Sequence, residues 1–597
     1  MTSKINPPPS DPLDDDALDD PEENGQTARD NANRGVAGAA FIMMAAIFAS
    51  RILGLVRESI IAHQFGQGET TDVYNAAFTI PDLLFFLIAG GALSGAFIPV
   101  FREYIELKKE KEAWRIFSVV ASVMLIVVTG FVLFSEIFTP PLVALTSGFI
   151  DKPGNLPTGG ILVPNGINGL SLVWFLLKSG LHYMVNSGDM PPKIADTVHL
   201  TRIVLPGQLC FFLGGLMMGT LQARGNPWGQ ALGPLIYNLF IIIGGLTVAR
   251  NPNVGIAGLC WGALVGAIVG NLLLQWYLVR RSGGYFVPSS IRRYWRHAGV
   301  LKVWKLMLPV ILGLALPQVS TIIGKMFAGP LGNGPVSALM YANKLMQVPL
   351  GVFAQATAIV LLPVMAGHAA RKDMPALRDS VNYGIRNILF LTVPSSVLMW
   401  VLALPLVQLT FQSGKFTPED ARLCTDVLRW YAVGIFAWSA HSIITRGFYA
   451  LQDSKTPIVV GTIVTLIFVP LNIPLRNLMG VQGLALATTI AATIHMVSML
   501  ILLRMRLRGI NAERLAVSVS LTTFNSMLTA IACTLLYRPL YAHYLAHATS
   551  QNARAHAAIV LGILLPFSAL LYIGLALLLR MEEVNVLKRL AAKLRRK

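Results

Sequence analysis

Residues 50–101 read SRILGLVRESIIAHQFGQGETTDVYNAAFTIPDLLFFLIAGGALSGAFIPVF. The stretch is mostly apolar, yet it carries Arg51, Arg57, Glu58, Asp72 and Asp82. The apolar run that enters it starts near Val36, so at 1.5 Å per residue Arg51 lies ~20 Å along a helix, deep in a ~30 Å hydrocarbon layer. A charge at that depth costs several kcal/mol unless it faces protein or a wet cavity, which makes an intramembrane arginine a candidate site. Two readings stand side by side. Arg51 and Glu58 are seven residues apart and share a helix face, so they could form a buried pair that only holds helices together. Alternatively Arg51 and Arg57, the latter without a comparable partner, face a ligand.

The whole chain agrees with a membrane setting. Of its 597 residues 54% are hydrophobic and 13% charged, against about 25% charged in soluble proteins. Repeated apolar runs predict an all-α polytopic protein with fourteen spans centred on 37–64, 72–101, 115–140, 199–222, 229–249, 254–279, 303–328, 336–366, 382–411, 421–450, 456–475, 481–503, 514–537 and 556–579. Alternate loops hold the basic residues, among them Lys108, Lys109, Lys111, Arg280, Arg281, Arg371, Lys372, Arg504, Arg506 and Arg508. This positive-inside pattern puts both termini in the cytoplasm and accounts for the net charge of +18 without nucleic acid. The four cysteines are scattered in apolar runs with no CxxC, which reads as core packing with no metal or disulfide role.

Short motifs recur between the halves. Leu221-Gln222 before Pro227 matches Leu451-Gln452 before Pro457, Gly255-Ile256-Ala257-Gly258-Leu259 matches Gly480-Val481-Gln482-Gly483-Leu484, and Ile98-Pro99-Val100 matches Leu362-Pro363-Val364. The expected organisation is an acidic tail (1–34), an N-lobe (35–282), a C-lobe (283–508), two further helices (509–580) and a basic tail (581–597). The repeat offset shrinks from 264 to 230 residues, which places about 34 extra residues in the first half. The Gly/Pro-rich segment 147–197 is the expected insertion, with 169–185 as an interfacial or re-entrant helix. Two six-helix lobes of one orientation form a parallel-repeat transporter around a central cavity.

SRILGLVRE (50–58), FGQGETTDVYNAAFTIPDLL (65–84) and GGALSGAFIPVF (90–101) resemble the opening of the MurJ (MviN) family, lipid II flippases of the multidrug/oligosaccharidyl-lipid/polysaccharide exporter superfamily. The resemblance resumes at YANKLMQVPLGVFAQATAIVLLPVM (341–365), FQSGKFT (411–417) and GFYALQDSKTP (447–457). It implies a MATE-like fold with a cavity walled by spans 1, 2, 7 and 8, and a lipid-tail groove made by spans 13 and 14. It also places Arg51, Arg57 and Lys344 at positions where the family carries functional arginines. Arg51 and Arg57 are ~9 Å apart along a helix, a spacing that suits a pyrophosphate gripped by bidentate guanidinium groups. Asn343 and Gln347 flank Lys344.

The chain departs from the family in places. Pro81-Asp82 is not followed by the usual arginine pair, and Gly90 and Gln347 stand where the family carries acidic residues. Lys325 could replace a lost cation or simply snorkel at a helix end. Asp72 is either a favourable charge at its own helix start or a gate residue, and Asp82 is expected to pair with Arg57. Gly54, Gly90, Gly91, Gly95, Pro81, Pro99 and Pro349 interrupt spans 1, 2 and 8, either for close packing or for bending during gating.

No Walker A or HExxH motif is present, so neither ATP nor zinc-protease chemistry is expected. His441 and His495 read as core histidines. Spans 7, 11 and 12 hold no Asp or Glu, against a family-type sodium site. The expected activity is translocation of lipid II across the bacterial inner membrane by alternating access, with no cofactor and with membrane potential or an ion gradient as driving force. Membrane lipids and the cell-wall synthesis machinery are the expected surroundings. An exporter of another polyprenyl-linked sugar, a drug exporter and a non-transporting envelope scaffold are the alternatives.

Overall fold

The computed structural model describes residues 46, 48–88, 92–149, 170–226, 228–287, 294–545 and 552–584. The expected acidic tail, most of the basic tail, Gly90 and Gly91 lie outside these residues, and the first part of the expected insertion does too. Among the described residues the fold is all-helical.

The N-terminal half contains α1 (48–65), α2 (Glu69–Ala77), α3 (Thr79–Ile88), α4 (Ala92–Glu106), α5 (Glu110–Ile137) and α6 (Thr139–Ser147). It continues with α7 (Leu170–Val185), α8 (Pro192–Val204), α9 (Gly207–Ala223), α10 (Trp228–Leu246), α11 (Ala257–Gly266) and α12 (Leu274–Arg281). The second half contains α13 (Ala298–Ala328), α14 (Pro335–Pro349), α15 (Ala356–Ala370), α16 (Met374–Val401), α17 (Ala403–Thr410) and α18 (Pro418–Val433). Then come α19 (Ile435–Ala450), α20 (Lys455–Met479), α21 (Val481–Arg506), α22 (Ala512–Leu540) and α23 (Ala553–Leu578).

Nine helical stretches among the described residues are long and apolar enough to cross a membrane. They fall on nine of the fourteen expected spans. The other five expected spans are 1, 2, 7, 8 and 10. Span 2 is cut into α2, α3 and α4, and span 8 into α14, a π-helical turn at Leu350–Gln355 and α15. Span 10 breaks at Gly434 between α18 and α19. Span 1 carries the charges of α1, and span 7 is the 31-residue α13. Pro81 sits in the first turn of α3, where its missing N–H is harmless.

The repeated motifs occupy matching places. Pro99 lies inside α4 and Pro363 inside α15. Gly255 (φ +52°) and Gly480 (φ +60°) both precede a membrane-length helix in the left-handed region that favours glycine. Leu221-Gln222 and Leu451-Gln452 both end helices, α9 and α19. One continuous apolar core runs through both lobes, from Ile61 and Phe97 to Tyr341 and Phe448.

The segment expected as an interfacial helix is helical, as α7. Its 16 residues span ~24 Å, short of a ~30 Å layer. It packs on α6 with Gly180 against Pro141, where a Cβ would come within 2.3 Å of the Pro141 Cα.

Candidate functional site

The two lobes meet tightly at one end of the molecule, where α1 ends and α14 begins. Asp72 in the first turn of α2 is fully buried. Its carboxylate accepts from the Gly334 N–H (2.7 Å), the Ser337 N–H (2.7 Å) and the Ser337 hydroxyl (2.6 Å). It therefore caps the N-terminus of α14, where unpaired N–H groups and the helix dipole favour an anion. Asp72 also lies in the first turn of its own helix, so the helix-start charge and a contact between the lobes are both present. Lys193 Nζ lies 3.8 Å from the same carboxylate and donates to Asn333 Oδ1 (3.1 Å) and Gly332 O (3.4 Å). Asn333 in turn donates to Glu69 (3.0 Å). A second contact joins α1 to the loop after α17. The Lys415 N–H donates to His63 O (2.9 Å), and the His63 ring meets Ser413 Oγ at 3.0 Å. Gly414 (φ +58°) permits this approach, because a Cβ there would come within 2.3 Å of His63 O. We call this end the gate end. At the opposite end Lys302 of α13 pairs with Glu103 of α4 at 2.7 Å.

Away from the gate, the candidate cations gather around α1, α3, α13 and α14. Arg57 Nη2 pairs with Glu58 Oε1 at 2.6 Å, and Nη1 donates to Asn238 Oδ1 of α10 at 3.0 Å. This corrects the sequence reading twice: Arg57 does have an acidic partner, and Glu58 belongs to Arg57, not to Arg51. Neighbouring residues on a helix rarely face one another; here one guanidinium reaches Asn238 with Nη1 and Glu58 with Nη2. Arg51 is exposed and donates from Nη1 to Gln347 O at 3.2 Å, across the seam between α1 and α14. The Nη1 end of its guanidinium lies against Gly351, where a Cβ would clash with it. The Gln347 side chain turns back one helical turn to donate to Asn343 Oδ1.

Lys344 makes no hydrogen bond or ion pair among the described residues, but Arg51, Arg57, Glu58 and Asp82 all act on it electrostatically. Lys325 does not snorkel. It is buried and donates to Asn75 O (2.8 Å) and Thr79 Oγ1 (2.9 Å), which satisfies the backbone at the α2–α3 break. Asp82 is exposed at the start of α3. It forms no ion pair with Arg57, contrary to expectation. Lys325, Lys344 and Arg57 act on it from a distance. Arg57, Lys344 and Lys325 thus lie within electrostatic reach of Asp82, Arg57 and Lys344 within reach of Glu58, and Arg51 joins the group through Lys344: four cations and two carboxylates. Gly54 has open space at its Cβ position, so no close helix approach requires a glycine there. Pro349 closes α14 where the π turn begins.

Sequence reasoning missed Lys193, Ser337 and Asn238. Lys193 sits at the edge of a segment read as an accessory insertion, and the other two are ordinary polar residues whose partners lie more than 180 positions away. Among the described residues no cluster of three or more His, Cys, Asp or Glu side chains could hold a metal ion.

A family model described as lipid II flippase MurJ matches residues 61–159 and 160–550. The chain is 28% identical over 462 residues to the probable lipid II flippase MurJ of Vibrio cholerae, covering 77% of this chain and 81% of that one. It is 29% identical over 463 residues to the lipid II flippase MurJ of Burkholderia cenocepacia, covering 77% and 82%. A solved structure of lipid II flippase MurJ in an inward closed conformation superposes with a TM-score of 0.67 at 22% identity, over 89% of this chain and 99% of that one. An inward-facing multidrug resistance MATE family transporter of the MOP superfamily superposes with a TM-score of 0.58 at 15% identity, over 77% and 94%. These two likenesses concern the fold.

Proposed function

Because this chain belongs to the MurJ family, we propose that it flips lipid II, the lipid-linked peptidoglycan precursor, across the cytoplasmic membrane of a bacterium. It is a multi-pass membrane transporter and not an enzyme. The observation that carries the reading is the convergence of Arg51, Arg57 and Lys344 beside an end of the molecule where the Asp72 cap and the His63–Lys415 contact join the two lobes. A pyrophosphate is the part of lipid II that such cations recognise. Arg51 and Lys344 offer donors not committed to a carboxylate, while Arg57 would exchange Glu58 for the phosphate. The disaccharide and peptide would fill the cavity while the polyprenyl tail stays in lipid.

The gate end faces the periplasm in this proposal, and both termini lie in the cytoplasm. α1 runs toward the gate and α23 runs away from it, so the described chain begins and ends at the other face. Opening the gate would break the Asp72 cap and the His63–Lys415 contact together. An anion moving outward gains ~2.3 kcal/mol per charge per 100 mV when the inside is negative, so membrane potential suffices as a driving force, with an ion gradient as the alternative source. The drug-exporter alternative fits less well, because a drug cation calls for carboxylates and the site is net cationic. Division into lobes at about residues 282 and 508 belongs to the same proposal. Complementation of a flippase-depleted bacterium, scored by access of lipid II to an external reagent, tests it. Growth and outward lipid II are the expected results; growth failure with the protein correctly inserted would overturn it.

A further inference from the structure

The helix pair α22–α23 touches both lobes, in two different ways. At one end, Met581–Val584 folds back onto the C-lobe. Arg386 of α16 donates from Nε to Glu583 (2.8 Å) and from Nη2 to Glu582 (2.9 Å). Arg514 of α22 donates to Glu582 (2.8 Å), and the Ser518 hydroxyl donates to Glu583 (2.6 Å). Glu583 is buried, and its Oε1 accepts from both the Arg386 guanidinium and the Ser518 hydroxyl, which offsets the cost of burying the charge. Two small apolar clusters, around Leu402 with Leu564 and around Phe390 with Tyr572, extend the attachment along α16 and the start of α17. The pair is therefore fastened to the C-lobe.

At the other end stands Arg554, in the first turn of α23. A cation is disfavoured at that end of a helix, so the reason for its placement lies in what it reaches. Its Nη2 donates to Thr410 O (3.2 Å), the last residue of α17, where carbonyls lack helical partners and the dipole favours a cation. The same Nη2 donates to Ser59 Oγ of α1 at 2.7 Å. Its Nε is buried without a hydrogen-bond partner. Ser59 lies one helical turn before His63, and Thr410 lies three residues before Ser413. These are the two segments joined by the His63–Ser413 and His63–Lys415 contacts. Arg554 thus bridges, one turn below the gate, the same two segments that the gate contact bridges.

We propose that Arg554 is a latch of the gate: it fastens α1 of the N-lobe to a helix pair that moves with the C-lobe, and it must release Ser59 before the gate end can open. Arg554 is a positioning residue, since it acts on the gate through α1 and α17. The inference rests on the alternating-access reading, but its test needs no substrate.

Spin labels on Thr70 and Glu419, both exposed and on opposite lobes, report the width of the gate end by pulsed electron resonance in nanodiscs. Losing a charged hydrogen bond should shift the open-to-closed ratio by roughly tenfold or more. Arg554→Met and Ser59→Ala should each raise the long-distance population by that factor, and the double variant should add little further. Arg554→Lys, which keeps the cation, should lie between. A packing role alone would lower thermal stability and leave the distance distribution unchanged. An unchanged distribution in well-folded Ser59→Ala, or additive effects in the double variant, would overturn the latch. Failure of the lipid II reading would show separately, as absent flipping with a normally responding gate.

Discussion

Arg51 and Arg57 look equivalent in sequence and are not equivalent in the fold. Arg57 is tied to Glu58, which is itself nearly inaccessible at 5% exposure. Removing one member of a buried pair strands the other and costs as much as 3–5 kcal/mol. Arg57→Ala should therefore lower the melting temperature in detergent, and Glu58→Gln in the same chain should recover stability without recovering flipping. Arg51 is exposed, so Arg51→Ala should leave stability unchanged and abolish flipping in proteoliposomes. Glu58→Gln should not rescue it; restored flipping in that double variant would revive the Arg51–Glu58 pair. Lys344→Arg should retain function, and Lys344→Glu should lose it by opposing an anion. The cations themselves were legible because charge in an apolar run demands a partner or a cavity. Which carboxylate serves which cation was not, because the second partner of Arg57, Asn238, comes from a helix 181 positions away.

At the scale of elements, the legible feature was interruption. Glycines and prolines in spans 1, 2 and 8 announced that these helices would not run straight; spans 2 and 8 are cut in the structure, whereas α1 runs unbroken through Gly54 over 48–65. Pro349 signalled the break that opens at Leu350, but not its π form over Leu350–Gln355, because an extra residue in a turn is settled by what packs against it. Here Arg51 packs against Gly351, on the seam between α1 and α14. Gly351→Ala should fold, since the atoms in its way are the far end of a flexible side chain. It should also push the Arg51 guanidinium off the seam and lower the flipping rate about tenfold, the effect of weakening one charged hydrogen bond. Gly351→Ala at wild-type rate would mean that the seam position of Arg51 is not needed for transport. The insertion teaches a related lesson. A helix over 169–185 was expected there and forms over Leu170–Val185, but its close seating on α6 through Gly180 depends on a contact no local pattern encodes.

For the whole molecule, apolar runs and repeated motifs made the all-helical, two-lobed fold readable, because both follow from the membrane and from internal duplication. The state of the molecule was not readable, since it depends on contacts between lobes more than 260 positions apart, such as Asp72 with Gly334 and Ser337. That closure gives a test of transport, orientation and mechanism together. Glu69 and Asn333 face each other across the gate at 3.0 Å, both on the surface. The four native cysteines are buried and remote from one another in sequence. Cysteines introduced at both positions should form a disulfide that locks the gate end shut. If that end faces the periplasm, a membrane-impermeant oxidant added to intact cells should form the bond, and the cells should stop delivering lipid II to the outer leaflet. A reductant should restore delivery, and either single cysteine variant should be indifferent to both treatments. A scaffold that does not transport would tolerate the lock, and an inverted topology would leave the pair untouched by the external oxidant. Full lipid II delivery from a protein shown by gel mobility to be cross-linked would remove gate opening from the mechanism and leave the polar contacts that join the lobes at that end with a structural role alone.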